Sequence, residues 1–172
     1  VGGLVILWAE KRQQNNPAAA RIQDADHMTV MVVGGAGFLG SHVVDRFLAD
    51  GSSVDVVDDL STGSLSNLSS ARSSATEGAL RIHTLDATIA EFAEIVRSTR
   101  PDVLFVSALL TGSSSEGASA VKSFALAASV LNAALKARVG KVVVTLPAAV
   151  LYGEVAARDV PINCPQGAIR KR

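Results

Sequence analysis

Between residues 29 and 145, short runs of β-branched residues alternate with longer stretches in which apolar positions recur every three or four residues. The first run is Val30 to Val33. Beyond it Leu39, Val43, Val44, Phe47 and Leu48 recur at helical spacing, and Asp50-Gly51 marks the helix end. Further strands are predicted at Val54–Val57, Leu80–Leu85, Val103–Ser107 and Lys141–Thr145. One intervening helix runs through Ile89, Phe92, Ala93, Ile95 and Val96 and is ended by Pro101; a longer one carries Val121, Phe124, Ala125, Ala128, Leu131 and Leu135. The run Val103–Ser107 is almost wholly apolar, as in a strand covered on both faces. Strands alternating with helices, joined by right-handed crossovers, give an α/β fold. The expected form is a Rossmann-type doubly wound parallel sheet with strand order 3-2-1-4-5, truncated after the fifth strand.

The organised part is expected to span residues 28–153. The serine-rich segment Ser61–Ser74 reads as a solvated connection with one helical turn near Leu65–Leu68, and residues 154–172 as an irregular tail. Val1–Ala9 is apolar but far shorter than the roughly 20 residues that cross a bilayer. The charges Glu10, Lys11 and Arg12 follow this run, the reverse of a secretory signal. Residues 1–27 are therefore expected to be a poorly ordered extension that contributes little to the fold, with Met28 as a natural start.

A chain of 172 residues with 48% apolar content fits one domain with a real core. Sixteen basic and sixteen acidic residues cancel, and aromatic residues make up only 4%, so neither nucleic acid nor an anionic membrane surface is an expected partner. Cys164 is the only cysteine, which rules out an intrachain disulfide and fits a cytoplasmic setting. His27, His42 and His83 are far apart in sequence and have no ligand-spaced partners, so no metal site is expected.

The candidate chemistry lies where the first strand runs into Gly34-Gly35-Ala36-Gly37-Phe38-Leu39-Gly40 and then directly into a helix. Glycines at such a turn let backbone N–H groups approach a pyrophosphate, and the helix directs its positive end at it. A side chain at Gly34 or Gly37 would stand where that ligand lies. Asp58 closes the second strand 21 residues beyond Gly37, the spacing of a carboxylate that holds an adenosine ribose. It would repel a 2′-phosphate, and Asp59, Leu60 and Ser61 offer no cation, so NAD is favoured over NADP. The competing reading is a nucleotide-free α/β unit with a chance glycine turn.

Val33-Gly34-Gly35-Ala36-Gly37-Phe38-Leu39-Gly40-Ser41-His42, followed by Val56-Val57-Asp58-Asp59-Leu60-Ser61-Thr62-Gly63, resembles the NAD-dependent epimerase/dehydratase family of extended short-chain dehydrogenases. The resemblance extends from about Thr29 to Gly153, through Pro101-Asp102-Val103-Leu104-Phe105 and Val150-Leu151-Tyr152-Gly153, and is closest to sugar-nucleotide 4-epimerases. It implies that Gly34, Gly37 and Gly40 form the phosphate turn, with backbone N–H groups from Phe38 and Leu39. It further implies that Asp58 and Asp59 serve the ribose, Asp86-Ala87 the adenine, and Ala108-Leu109 the cofactor wall. Asp86 also reads simply as the acid ahead of the helix that begins near Thr88. A nucleotide-linked sugar is the implied substrate, and the long helix near Val121–Leu135 would pair across a homodimer.

The family's chemistry uses a tyrosine, a lysine four residues later and a nearby Ser or Thr. Here the only tyrosine is Tyr152, the residue four positions on is Ala156, and no Tyr-x-x-x-Lys occurs in the 172 residues. Ala148 occupies the hydroxyl position, with Thr145 the nearest hydroxyl upstream, and Ser123 stands where a cofactor-side asparagine is common. No catalytic residue is therefore assigned. Three readings stay open: the cofactor half of a nucleotide-sugar epimerase or dehydratase lineage, a noncatalytic NAD-binding sensor or partner module, and a truncated inactive product.

Overall fold

Valine dominates the strand-forming runs because its branched Cβ restricts χ1 and packs well on a pleated surface. The computed structural model describes residues 4–10, 28–108 and 116–147. In chain order the elements are β1 (Leu4–Glu10), β2 (Thr29–Val33), α1 (Phe38–Ala49), β3 (Ser53–Asp58) and a 3-10 turn (Leu65–Leu68) that runs into α2 (Ser69–Ser74). They continue with β4 (Leu80–Thr84), α3 (Ala90–Thr99), β5 (Val103–Val106), α4 (Glu116–Ala137) and β6 (Lys141–Pro147).

Strand β2 lies at the centre, parallel to β3 on one side and β5 on the other; β4 extends the sheet beyond β3, and β6 beyond β5. These five strands run β4-β3-β2-β5-β6, the 3-2-1-4-5 order. A sixth strand departs from the sequence expectation. Residues 4–10, assigned from sequence to an extension outside the fold, pair antiparallel with β6, Leu4 opposite Pro147 and Glu10 opposite Lys141. The edge of β6 would otherwise be a row of open backbone groups, and a run of seven residues without proline or glycine can satisfy it. Ser69–Ser74 is likewise helical rather than solvated connection, since Leu68 and Ala71 are fully buried and tether the segment to the sheet.

Successive residues on the central strands feed opposite faces. Met31, Val33, Val57, Leu104 and Val106 pack with Phe92, Val96, Val130, Ala133 and Ala134 beneath α3 and α4. Val30, Val32, Val54, Val56 and Phe105 pack with Val44, Leu68 and Ala71 on the other face. Burial on both sides explains why these strands read as continuous apolar runs. The exception is Asp55, 0% exposed in the middle of β3. Its carboxylate accepts two hydrogen bonds from Arg81 on β4, at 2.9 and 2.7 Å, and pairs with Nε2 of His83 at 2.8 Å. The hydrogen bonds to Asp55, followed by its charge, hold the Arg81 guanidinium above its ordinary pKa.

Candidate functional site: the cleft at the strand ends

Neighbouring strands β2 and β5 lead to helices on opposite faces of the sheet, and a crevice opens beyond their carboxyl ends, where ligands of open α/β sheets bind. The crevice here has a volume of about 790 Å³. Its walls include Gly34, Gly37, Phe38, Leu39, Asp58, Asp59, Asp86, Ala87 and Ala108. Nine of the eleven residues singled out in the sequence are thus brought together from four connections. Gly40 lies outside this lining, and Leu109 lies outside the described residues.

The glycines divide their work. Gly34 has φ +80°, and a Cβ on it would lie 2.8 Å from the backbone nitrogen of Ala108. Its lack of a side chain thus serves the approach of β2 to the chain leaving β5, rather than room for a ligand. A Cβ on Gly40 would stand 2.1 Å from the Gly34 carbonyl oxygen, so this residue lets α1 close onto the turn. At Gly37 the nearest atom to a Cβ is the Gly34 oxygen at 3.3 Å. Here the free space belongs to the cleft.

Gly37 is the N-cap of α1, with no side-chain hydrogen bond closing the helix and no acid in its first turn. The first backbone N–H groups of α1 therefore carry their partial positive charge at the cleft without a side-chain acceptor. Phe38 is 83% exposed at the rim, its ring tilted against His42 with centroids 4.9 Å apart.

Across the turn, Asp58 is buried, and its carboxylate is aimed by two backbone donors at 2.9 Å: Ala36 N–H to Oδ2 and Leu60 N–H to Oδ1. Leu60 adopts φ +59° to make this possible. Asp59 Oδ1 accepts from both Ser61 N–H, at 2.9 Å, and Ser61 Oγ, at 2.7 Å. Partial desolvation pushes the Asp59 carboxyl up, but the Ser61 hydrogen bonds and the charge of Lys122 outweigh it, so the group sits below its ordinary value.

Asp86 Oδ1 accepts from Thr88 N–H at 2.8 Å, the role of an acid ahead of a helix, while the residue also lines the cleft. The adjoining Ala87 carbonyl accepts from Ser129 Oγ on α4 at 2.7 Å. Ser107 Oγ donates toward the carbonyls of Val33 and Gly34, at 3.1 and 3.0 Å, joining β5 to β2 at the floor of the crevice. Thr145 Oγ1, buried in the wall, donates to Val106 O at 3.0 Å.

Ser61, Thr62, Ser107, Lys122 and Thr145 are lining residues to which the sequence reading assigned no cofactor role. Ser61 and Thr62 follow the two acids directly, and that adjacency was a usable signal. Lys122 sits 63 positions beyond Asp59 and meets the cleft only through the placement of α4. Ala148, Tyr152 and Ala156 lie outside the described residues. Among the described residues no group of three or more His, Cys, Asp or Glu could hold a metal ion, and no helix is long and apolar enough to cross a membrane.

Comparison with known proteins bears on the family and the fold. The sequence pattern of the NAD dependent epimerase/dehydratase family matches residues 30–168. A UDP-glucose 4-epimerase of Mycolicibacterium smegmatis is 40% identical over 78 residues, 45% of this chain and 24% of that protein. The crystal structure of the Bordetella bronchiseptica enzyme WbmG in complex with NAD and UDP superposes with a TM-score of 0.57 at 27% identity, covering 69% of this chain and 37% of that one. A stretch of 31 residues, 18% of this chain, is 64% identical to an undecaprenyl-diphosphatase of Polaromonas sp., of which it covers 11%. The chain thus spans less than a quarter of the length of these curated relatives and little more than a third of the structural neighbour.

Proposed function

Because the chain belongs to the NAD dependent epimerase/dehydratase family, we propose that its cleft binds NAD as the cofactor half of a nucleotide-sugar epimerase or dehydratase lineage. The observation that carries this reading is the shared cleft of Gly37 and Asp58: an uncapped helix start faces the same space as a carboxylate held by two backbone donors. The residues present fit the group. The amides at the start of α1 would receive the diphosphate, Asp58 and Asp59 the adenosine ribose, and Asp86-Ala87 the adenine. Asp58 and Asp59 disfavour a 2′-phosphate, so NAD is preferred over NADP. Bound NAD supplies reversible hydride transfer at its nicotinamide; these residues bind and orient it.

A noncatalytic NAD-binding module is the second reading, favoured by one observation within the matched stretch: Ala148 stands at the position that the family resemblance gives to a Ser or Thr hydroxyl. Calorimetry with NAD and NADP tests the cofactor assignment, and absence of NAD binding overturns it. An assay with UDP-glucose or UDP-galactose, read as sugar interconversion or as absorbance of reduced cofactor, separates turnover from occupancy alone.

The same reading takes a second copy of the chain as partner. Val121, Phe124, Leu131 and Leu135 on α4 are 69, 78, 46 and 70% exposed, and with Ala128 they follow the alternating three- and four-residue spacing of a helix–helix seam. Sedimentation equilibrium of wild type and of Phe124→Glu tests this. A monomeric wild type overturns it.

A further inference from the structure

The segment after β3 does more than connect. Gly63 passes so close to the glycine turn that a Cβ on it would lie 2.9 Å from both the Ala36 carbonyl carbon and Asp58 Oδ1. Ser64 N–H donates to the Ala36 carbonyl oxygen at 3.0 Å, and Asn67 Nδ2 donates to the same oxygen at 2.8 Å. The next residue, Leu68, is fully buried on the α1 face of the sheet and fixes the backbone from which Asn67 reaches.

That carbonyl belongs to the peptide unit whose nitrogen is Gly37 N, the residue that caps α1. Gly37 N–H itself donates to Gly34 O at 3.2 Å, a long bond. The plane of this unit is therefore set mainly through its oxygen, by two donors from one loop. None of Ala36, Ser64 or Asn67 lines the cleft. The carbonyl dipole is thus held toward the loop, and the following amides are left for an anion. Were the unit free to rotate, its oxygen would compete with the diphosphate for the same space and oppose its charge.

We propose that Asn67 is a positioning residue for the diphosphate cradle, acting through the Ala36–Gly37 peptide unit rather than by touching the ligand. The proposal rests on the NAD-binding reading above. It places the brace in a stretch that reads in sequence as a solvated loop, and it separates affinity for the diphosphate from affinity for adenosine.

The test compares wild type, Asn67→Ala and Asn67→Leu, the last close to asparagine in size but without a donor. NAD and ADP are titrated calorimetrically and adenosine by chemical-shift perturbation, with melting temperatures recorded alongside. The expected result is roughly tenfold weaker binding of NAD and ADP by both variants, the effect of one lost hydrogen bond with its relaxation, while adenosine affinity is unchanged. Equal weakening of all three ligands would show general loosening and overturn the role. Wild-type affinity in either variant would overturn it as well. Failure of the wild-type chain to bind NAD removes the cofactor reading and the role with it, whereas normal wild-type binding with unaffected variants removes the role alone.

Discussion

The Ala36 amide donates to Asp58 Oδ2 at 2.9 Å across 22 residues of sequence, so the glycine turn and the acid that ends β3 form one hydrogen-bonded unit. The carboxylate assigned to a ribose also braces the turn assigned to a diphosphate. On the proposed reading, substituting it should disturb the ribose and diphosphate contacts together.

Asp58→Asn keeps the shape but leaves one carbonyl oxygen where two backbone N–H groups now find separate acceptors, so one of them loses its partner. We expect a stability loss of about 1–3 kcal/mol and NAD affinity at least tenfold weaker. Asp58→Arg, designed to admit NADP, should lose NAD without gaining NADP, because the brace at Ala36 is lost too. Urea unfolding and calorimetry read the two effects, and NADP binding by Asp58→Arg at wild-type NAD strength would contradict the dual role.

Gly34→Ala and Gly37→Val should separate stability from binding. The first forces a side chain into φ +80° against the Ala108 backbone at 2.8 Å, and should cost about 2 kcal/mol or more of folding free energy. The second meets one backbone oxygen at 3.3 Å, a tight contact, at an N-cap that disfavours valine, so it should cost about 1 kcal/mol, less than the first, while filling the cleft and losing NAD binding. Thermal melts with parallel titrations distinguish them. A destabilised Gly37→Val that still bound NAD would contradict this division.

The buried Asp55 should show the asymmetry of buried charge. Arg81→Leu removes the two-pronged partner and leaves a carboxylate in the sheet interior with His83 alone, and should cost about 2–3 kcal/mol, moderated because Arg81 is half exposed. Asp55→Val restores the apolar pattern of β3 and lets Arg81 turn to solvent, and should stay within about 1 kcal/mol of wild type. Chemical denaturation orders the two, and a larger loss for Asp55→Val would refute the argument.

The Asp59 carboxyl should titrate below the ordinary aspartate value of about 3.9, in the direction set by Ser61 and Lys122 against desolvation. A pKa lower in the folded state contributes stability above the unfolded value, and this is lost as pH falls through the folded one. Ser61→Ala should raise the carboxyl toward its ordinary value, as followed by NMR titration of the side-chain carbon. No upward movement would deny the Ser61 bonds their role.

Removing residues 1–27 distinguishes the sequence expectation of an inert extension from the pairing of β1 with β6. Loss of the edge strand uncovers the outer side of β6, and a cost near 1 kcal/mol lowers the melting temperature by roughly 2–4 °C. An unchanged melt would favour the inert extension.

Periodicity revealed the alternation of strands and helices, and the handedness of crossovers gave the parallel order built on it. Val30–Val33 and Val103–Val106 are buried on both faces, and a strand so placed shows its burial in every residue. The glycine turn and Asp58 were equally legible, because local backbone geometry demands particular residues at fixed spacing. Contacts between distant segments were not. Nothing near Lys122 announces Asp59, nothing in Ser61–Ser74 announces that Asn67 holds Ala36, and the apolar residues of β1 do not name β6 as their partner. Asp55 interrupts the apolar run of β3, and its hydrogen bonds come from Arg81 and His83 on the adjoining strand. Such pairings arise when the packed layers bring remote backbone and side-chain groups within bonding distance, and a buried polar group is tolerated only where that packing provides its partner.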